Sequence, residues 1–175
     1  MKLKRTTSAV VTGTIGLVLL ASLAGCGSLP KYYSDKIIPE NNLIALKTGG
    51  PHENNWVTED LLVSYLYTRN EDQLKISGTI DFADNLKAFN KLDYFDFWVY
   101  FTDSENKIIG HLLISPFTFF DQVEKTAFEK NYTLPAGANA MVFSYRGSAS
   151  EGGSGGGDSL RDGGISWTFW KTPLG

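Results

Sequence analysis

The 175-residue chain predicts an all-β domain, a two-layer β-sandwich of about seven antiparallel strands. Three observations carry that prediction. Several segments alternate apolar and polar residues with a period of two, which buries one face of a strand. Polar or Gly/Pro-containing turn signals separate them. No long segment has the 3.6-residue apolar period of an amphipathic helix.

Taken in order, Leu61 to Thr68 (LLVSYLYT) is rich in β-formers, and Arg69-Asn70-Glu71-Asp72 supplies a turn. Gln73 to Phe82 then places Leu74, Ile76, Gly78, Ile80 and Phe82 on one face, so the pair reads as a hairpin. Ala83 to Asp93 is a longer connection with room for a helical turn. Tyr94 to Phe101 is the strongest strand, with Phe95, Phe97, Val99 and Phe101 facing the core and Tyr94, Asp96, Trp98 and Tyr100 facing away. Asp103-Ser104-Glu105-Asn106 turns the chain into the return strand Lys107 to Ser115. Pro116 to Gln122 breaks the pattern and reads as a loop or short helix covering one end of the core. Further strands follow at Lys125 to Thr133, Asn139 to Gly147 and Ile165 to Trp170, the last two joined by a glycine-rich loop over 147–164. The arrangement resembles the immunoglobulin-like modules of many envelope lipoproteins, although no immunoglobulin-type cysteine pair is present.

The N-terminus has a different character. Lys2, Lys4 and Arg5 precede an uncharged stretch from Thr6 to Gly25, the layout of a secretory signal peptide and its helix. That stretch ends in Leu23-Ala24-Gly25-Cys26, which resembles the lipobox of bacterial lipoproteins. The resemblance covers about the first 27 residues. It implies a diacylglyceryl group on the Cys26 thiol, cleavage before Cys26, and membrane lipid as the protein's first partner. Two or more acyl chains give stable attachment where one does not. An uncleaved transmembrane anchor is the competing reading, since the uncharged run is just long enough to span a bilayer; its Thr, Ser and Gly content argues against it. Gly27 is not the Asp associated with inner-membrane retention, so an outer membrane is favoured where two membranes exist.

The chain therefore divides into a signal peptide (1–25), a lipidated cysteine with a flexible tether (26–55) and a sandwich domain (56–175). Pro30, Pro39, Pro51 and Gly49-Gly50 mark the tether, with Tyr32-Tyr33 and Leu43 to Leu46 as apolar islands able to dock. A flexible tether of that length has a root-mean-square reach of roughly 30 Å. Loss of the basic N-terminus leaves a more acidic protein than the whole chain, whose formal charge is −3. Nucleic-acid binding, which needs concentrated positive charge, is excluded on that ground. Cys26 is the only cysteine, so no intramolecular disulfide forms and an apolar, aromatic core must supply stability.

Several motifs resemble chemistry. Gly157-Asp158-Ser159-Leu160 spells the GDSL esterase signature, but the family's downstream Asp-x-x-His pair is missing and the only histidines, His52 and His111, lie upstream. A nucleophilic Ser159 needs a base to take its proton. The same stretch resembles a single calcium-binding nonapeptide repeat, and Glu151, Asp158 and Asp162 are candidate oxygen donors for Ca²⁺. No P-loop is present, because Asp-Ser follows the glycines. Asp93, Asp96, Asp103 and Glu105 form an acidic cluster, read either as acid–base groups or as solvated strand ends. Trp98 and Tyr100 are the candidate partner surface: an open apolar patch if the outer face is bare, core if a loop such as Phe117 to Phe120 covers it.

The reading is a membrane-anchored, non-catalytic binding or assembly module, with an envelope protein as its expected partner and no cofactor. A small hydrolase using Ser159, or a Ca²⁺- or ligand-binding module, is the alternative.

Overall fold

The computed structural model describes residues 33–120, 125–151 and 165–175, with side chains at 116–120 outside the description. Nine strands form within them: β1 (Ile44–Ala45), β2 (Gly49–Val57), β3 (Leu61–Asn70), β4 (Gln73–Phe82), β5 (Lys91–Thr102), β6 (Ile108–Phe120), β7 (Thr126–Thr133), β8 (Ala140–Ser150) and β9 (Ser166–Lys171). One helical turn, α1 (Asp84–Lys87), lies between β4 and β5. The strands make two antiparallel sheets, β2-β3-β4-β7 and β1-β8-β5-β6, with β9 also paired to β8. The chain is an all-β sandwich.

The order β9-β8-β5-β6 corresponds to strands G-F-C-C′ of an immunoglobulin-type sandwich, and β3-β4-β7 to A-B-E. β2 is an additional edge strand beside A.

The inward-facing residues follow the alternation. Phe95, Phe97, Val99 and Phe101 of β5 are fully buried, facing Ile76, Ile80 and Phe82 of β4. Aromatic rings fill the space between the sheets: Phe97 stacks on Phe143 at 5.3 Å, and Tyr65 meets Phe143 edge-on at 4.9 Å. Each fully buried large side chain contributes roughly 1.5–3 kcal/mol. One polar tie crosses the core, where the Tyr145 hydroxyl donates to Asp60 Oδ2 at 2.6 Å and lies 3.1 Å from Thr58 Oγ1.

Four expectations change. β6 continues as a strand through Pro116 to Phe120, because its backbone stays paired with β5 as far as Leu92. The loop expected over 147–164 starts later, since Gly147 to Ser150 pair with both β5 and β9. Glu151 N donates to Ile165 O at 3.0 Å, closing the hairpin base. Nine strands form where about seven were expected, the additions being β1 and β2.

The fourth change concerns the tether. Residues 33–55 are part of the folded unit. Gly49–Val57 pairs with β3 along most of its length. Ile44–Ala45 pairs with β8, and the Tyr67 hydroxyl donates to Ala45 O and accepts from Lys47 N, each at 3.0 Å. Ile37 bridges Lys107, whose Nζ reaches Asp35 at 2.8 Å. Apart from the β2–β3 hairpin, whose register closes at Val57 and Leu62, these partners are distant in sequence, so no local pattern announces them. Among the described residues no helix is long and apolar enough to cross a membrane.

Candidate functional site

The outer face of β5, β8 and β9 carries the site that the sequence pointed to through Trp98 and Tyr100. Alternation along β5 turns Tyr94, Asp96, Trp98 and Tyr100 outward, opposite the core phenylalanines. Strand register then sets them in rows. Tyr94 lies beside Ser148, and Ser148 beside Thr168; Asp96 lies beside Arg146, and Arg146 beside Trp170. Trp98 lies between Ser144 and Leu113, and Tyr100 between Val142 and His111.

The N-terminal segment divides this face in two. Ile38 packs with Tyr100, Ile108 and Val142 in a second apolar cluster, supported by Tyr33 and Leu43. Tyr33 meets Tyr100 edge-on at 5.5 Å, and Tyr100 is only 1% exposed. The expected Trp98/Tyr100 patch is thus corrected: Tyr100 belongs to a covered cluster, and Trp98 marks the boundary. The cover over Tyr100 is the segment around Tyr33 to Leu43; the backbone of Phe117 to Phe120, expected as a covering loop, belongs to β6. Burial, with the nearby Tyr33 hydroxyl adding to it, pushes the Tyr100 phenol up to about 12. His111 stacks on Tyr100 at 6.0 Å, and burial lowers its pKa below the usual histidine value.

The other half is an open groove of about 380 Å³, whose walls include Tyr33, Tyr94, Trp98, Thr168 and Trp170. A volume of this size suits a small ligand or part of a polymer. Arg146 lines the groove, and its Nη2 and Nε contact the neighbouring Asp96 Oδ2 at 2.9 and 3.0 Å. The guanidinium also lies over the Trp98 ring, 5.3 Å from its centroid. Held on two sides, the arginine presents its remaining donors in a defined plane. Trp170 is 63% exposed, a large cost for an indole with no packing duty. Ser144 Oγ donates to Lys171 O at 2.8 Å and ties β9 against β8 beneath the groove.

Among the described residues, the acidic side chains predicted from sequence have structural partners of their own. Asp103 accepts backbone N–H bonds from Glu105 and Lys107 at 2.9 and 3.0 Å, so it shapes a turn. Asp93 accepts from Ser150 Oγ at 2.9 Å and lies 3.3 Å from Lys91 Nζ. The acidic cluster is therefore spent on turn and strand contacts. Among the described residues, no three His, Cys, Asp or Glu side chains gather as metal ligands.

Cys26, the lipobox residues Leu23, Ala24 and Gly25, and the loop residues Asp158, Ser159 and Asp162 lie outside the described residues. Glu151 is an exposed residue at the loop base. His111 shares a row with Val142, nine residues along β8 from Glu151, which is about 30 Å at a strand's rise. His52 pairs with Tyr67 on the opposite sheet, beside the Ala45 end of the sandwich. Both histidines thus sit towards the end of the sheets away from the base of that loop.

Arg146 and Thr168 were missed as site residues, whereas Trp170 was among the aromatic residues, with Trp98, Tyr100 and Trp167, that the sequence marked for a functional role. The alternation signal in Asn139 to Gly147 and Ile165 to Trp170 assigns Arg146 and Trp170 to outward faces. Which outward residues become neighbours depends on strand order, which the alternation does not encode. Compared with known proteins, the chain matches no protein-family model, no curated protein and no solved structure.

Proposed function

We propose that this protein is a membrane-anchored envelope lipoprotein whose sandwich domain works by binding, without catalysis. The observation that supports it best is the open groove beside Trp98, built on a sheet face that the N-terminal segment otherwise covers. The lipobox-like Leu23-Ala24-Gly25-Cys26 supports the anchor. Seven residue steps separate Cys26 from Tyr33 at the groove's rim. Even fully extended they reach about 25 Å, so a lipid on Cys26 keeps the groove near the membrane surface. The long flexible tether expected from sequence is replaced by this short link.

A hydrolase using Ser159 has less support, since the candidate bases His52 and His111 lie towards the other end of the sandwich from the loop base. The Ca²⁺ reading rests on Glu151, Asp158 and Asp162 alone.

Metabolic labelling with a palmitate analogue tests the anchor. Labelling of the native chain and its loss in Cys26→Ala are expected; labelling that persists in Cys26→Ala contradicts it. In-cell crosslinking and capture from solubilised membranes tests the binding role, with one reproducible stoichiometric partner expected.

A further inference from the structure

The groove's lining specifies a kind of ligand. Across three strands the lining residue Arg146 on β8 is held by Asp96 of β5 and flanked by Trp170 on β9. Tyr94 and Trp98 stand on the same face of β5 to either side of Asp96, about 13 Å apart at a strand's rise. Thr168 adds a hydroxyl to the wall. The groove thus offers flat apolar faces together with guanidinium donors, and the Asp96 carboxylate lies beside them as an acceptor. Asp96 Oδ2 occupies only two of the five arginine N–H donors.

Lipid tails and apolar peptides make no use of the Asp96–Arg146 ion pair. A simple anion meets a guanidinium already neutralised by Asp96. A saccharide uses every part: C–H faces of pyranose rings stack on aromatic rings, and vicinal hydroxyls both donate to a carboxylate and accept from a guanidinium. The span from Tyr94 to Trp98 exceeds one sugar ring, and an extended, flat β-1,4-linked chain matches the face of a sheet. We infer that the groove binds a β-1,4-linked oligosaccharide, with Trp170 and Trp98 as stacking platforms and the Asp96–Arg146 pair reading hydroxyl groups.

This deepens the binding-module reading and rests on it. The test uses the full chain in detergent, titrated to millimolar concentration with tetramers of β-1,4-linked glucose and of N-acetylglucosamine. Inorganic phosphate and a tetra-alanine peptide are run in parallel. The indole N–H signals of the four tryptophans report the site. Trp98 and Trp170 line the groove, Trp56 packs on core Phe143 at 5.3 Å, and Trp167 points from β9 on the face opposite Trp170.

At least one tetrasaccharide is expected to move the Trp98 and Trp170 signals and leave Trp56 and Trp167 in place. Trp170→Ala and Asp96→Asn are each expected to weaken binding tenfold or more, and Trp167→Ala to leave it unchanged. Trp170 is largely exposed, so its removal spares the fold. No shift with either tetrasaccharide, a uniform shift of all four signals, or a response to phosphate or peptide instead overturns the inference. Should the saccharides fail while in-cell capture still yields a stoichiometric partner, the binding role stands and only the ligand class is lost.

Discussion

Gly147→Ala separates the structure's account of β8 from the reading in which Gly147 opens a flexible loop. Gly147 is paired on both sides, with Phe95 on β5 and Phe169 on β9. A Cβ built there meets Phe169 Cζ at 2.3 Å and both Cε atoms at 2.8 Å. Carbon atoms in contact prefer about 3.5–4.0 Å, so the ring must retreat by more than an ångström. It has little room: Phe169 is 2% exposed and stacks on Phe95 at 6.0 Å, with Phe82 and Tyr145 close by. Overpacking of this kind costs about 1–3 kcal/mol. At about 2–4 °C per kcal/mol for a chain of this size, Tm falls by roughly 2–12 °C. In a flexible loop the same change restricts the folded and unfolded chains alike and leaves stability within about 0.5 kcal/mol. Thermal unfolding followed by near-ultraviolet circular dichroism decides it. Phe169→Leu in the Gly147→Ala background is expected to recover part of the loss, a coupling between contacting residues. An unchanged or raised Tm in Gly147→Ala refutes the packing argument.

Other consequences are open to measurement. Tyr145→Phe removes the donor to Asp60 and leaves a half-buried carboxylate without that partner, so urea unfolding is expected to show a loss of about 1–3 kcal/mol; a loss below 0.5 kcal/mol contradicts the bond's role. The folded state holds His111 below the ordinary histidine value near 6.5, so the unfolded chain binds more protons as pH falls through that value. The stability tied to His111 is therefore complete above about pH 6.5 and lost as pH falls to the folded pKa; His111→Gln flattens that decline, and an identical pH profile in the variant refutes it. Burial raises the Tyr65 and Tyr100 phenols to about 12, so their contribution is intact below about pH 10 and is lost as pH rises towards 12. Absorbance titration should show tyrosinate formation lagging behind that of the urea-unfolded chain, and coincident curves count against it.

What the sequence disclosed follows from the range of its signals. The core faces of β4, β5 and β8 were legible because alternation is local: Leu74, Ile76 and Ile80, or Phe95, Phe97 and Val99, announce themselves within a few residues. The hairpin through Glu71-Asp72 was legible for the same reason, its register closing at Asn70 and Gln73. Much of 33–55 was misjudged because its anchors are distant: Ile38 buries against Tyr100, and Lys47 N reaches the Tyr67 hydroxyl. Prolines and glycines there read as tether, although Gly49 and Gly50 open a paired strand. Gly147 looked like the start of a loop because it precedes a glycine-rich run. Its small size instead admits the Phe169 ring from a strand 22 residues later. The groove was half legible. Trp98 was identified from its outward phase, but its partners Arg146 and Trp170 belong to strands whose adjacency only the sheet order establishes.

The central claim is that the outer face of β5, β8 and β9 is the working surface of a tethered binding module. Placing a photoreactive diazirine residue at position 168 of the full chain in its native cell, with position 167 as the control, tests this directly and keeps Trp170 in place. Both residues sit on β9 and are exposed, but on opposite faces. The account predicts a discrete adduct from position 168 that carries envelope saccharide and disappears with Asp96→Asn. No adduct from position 168, or the same adduct from position 167, contradicts it.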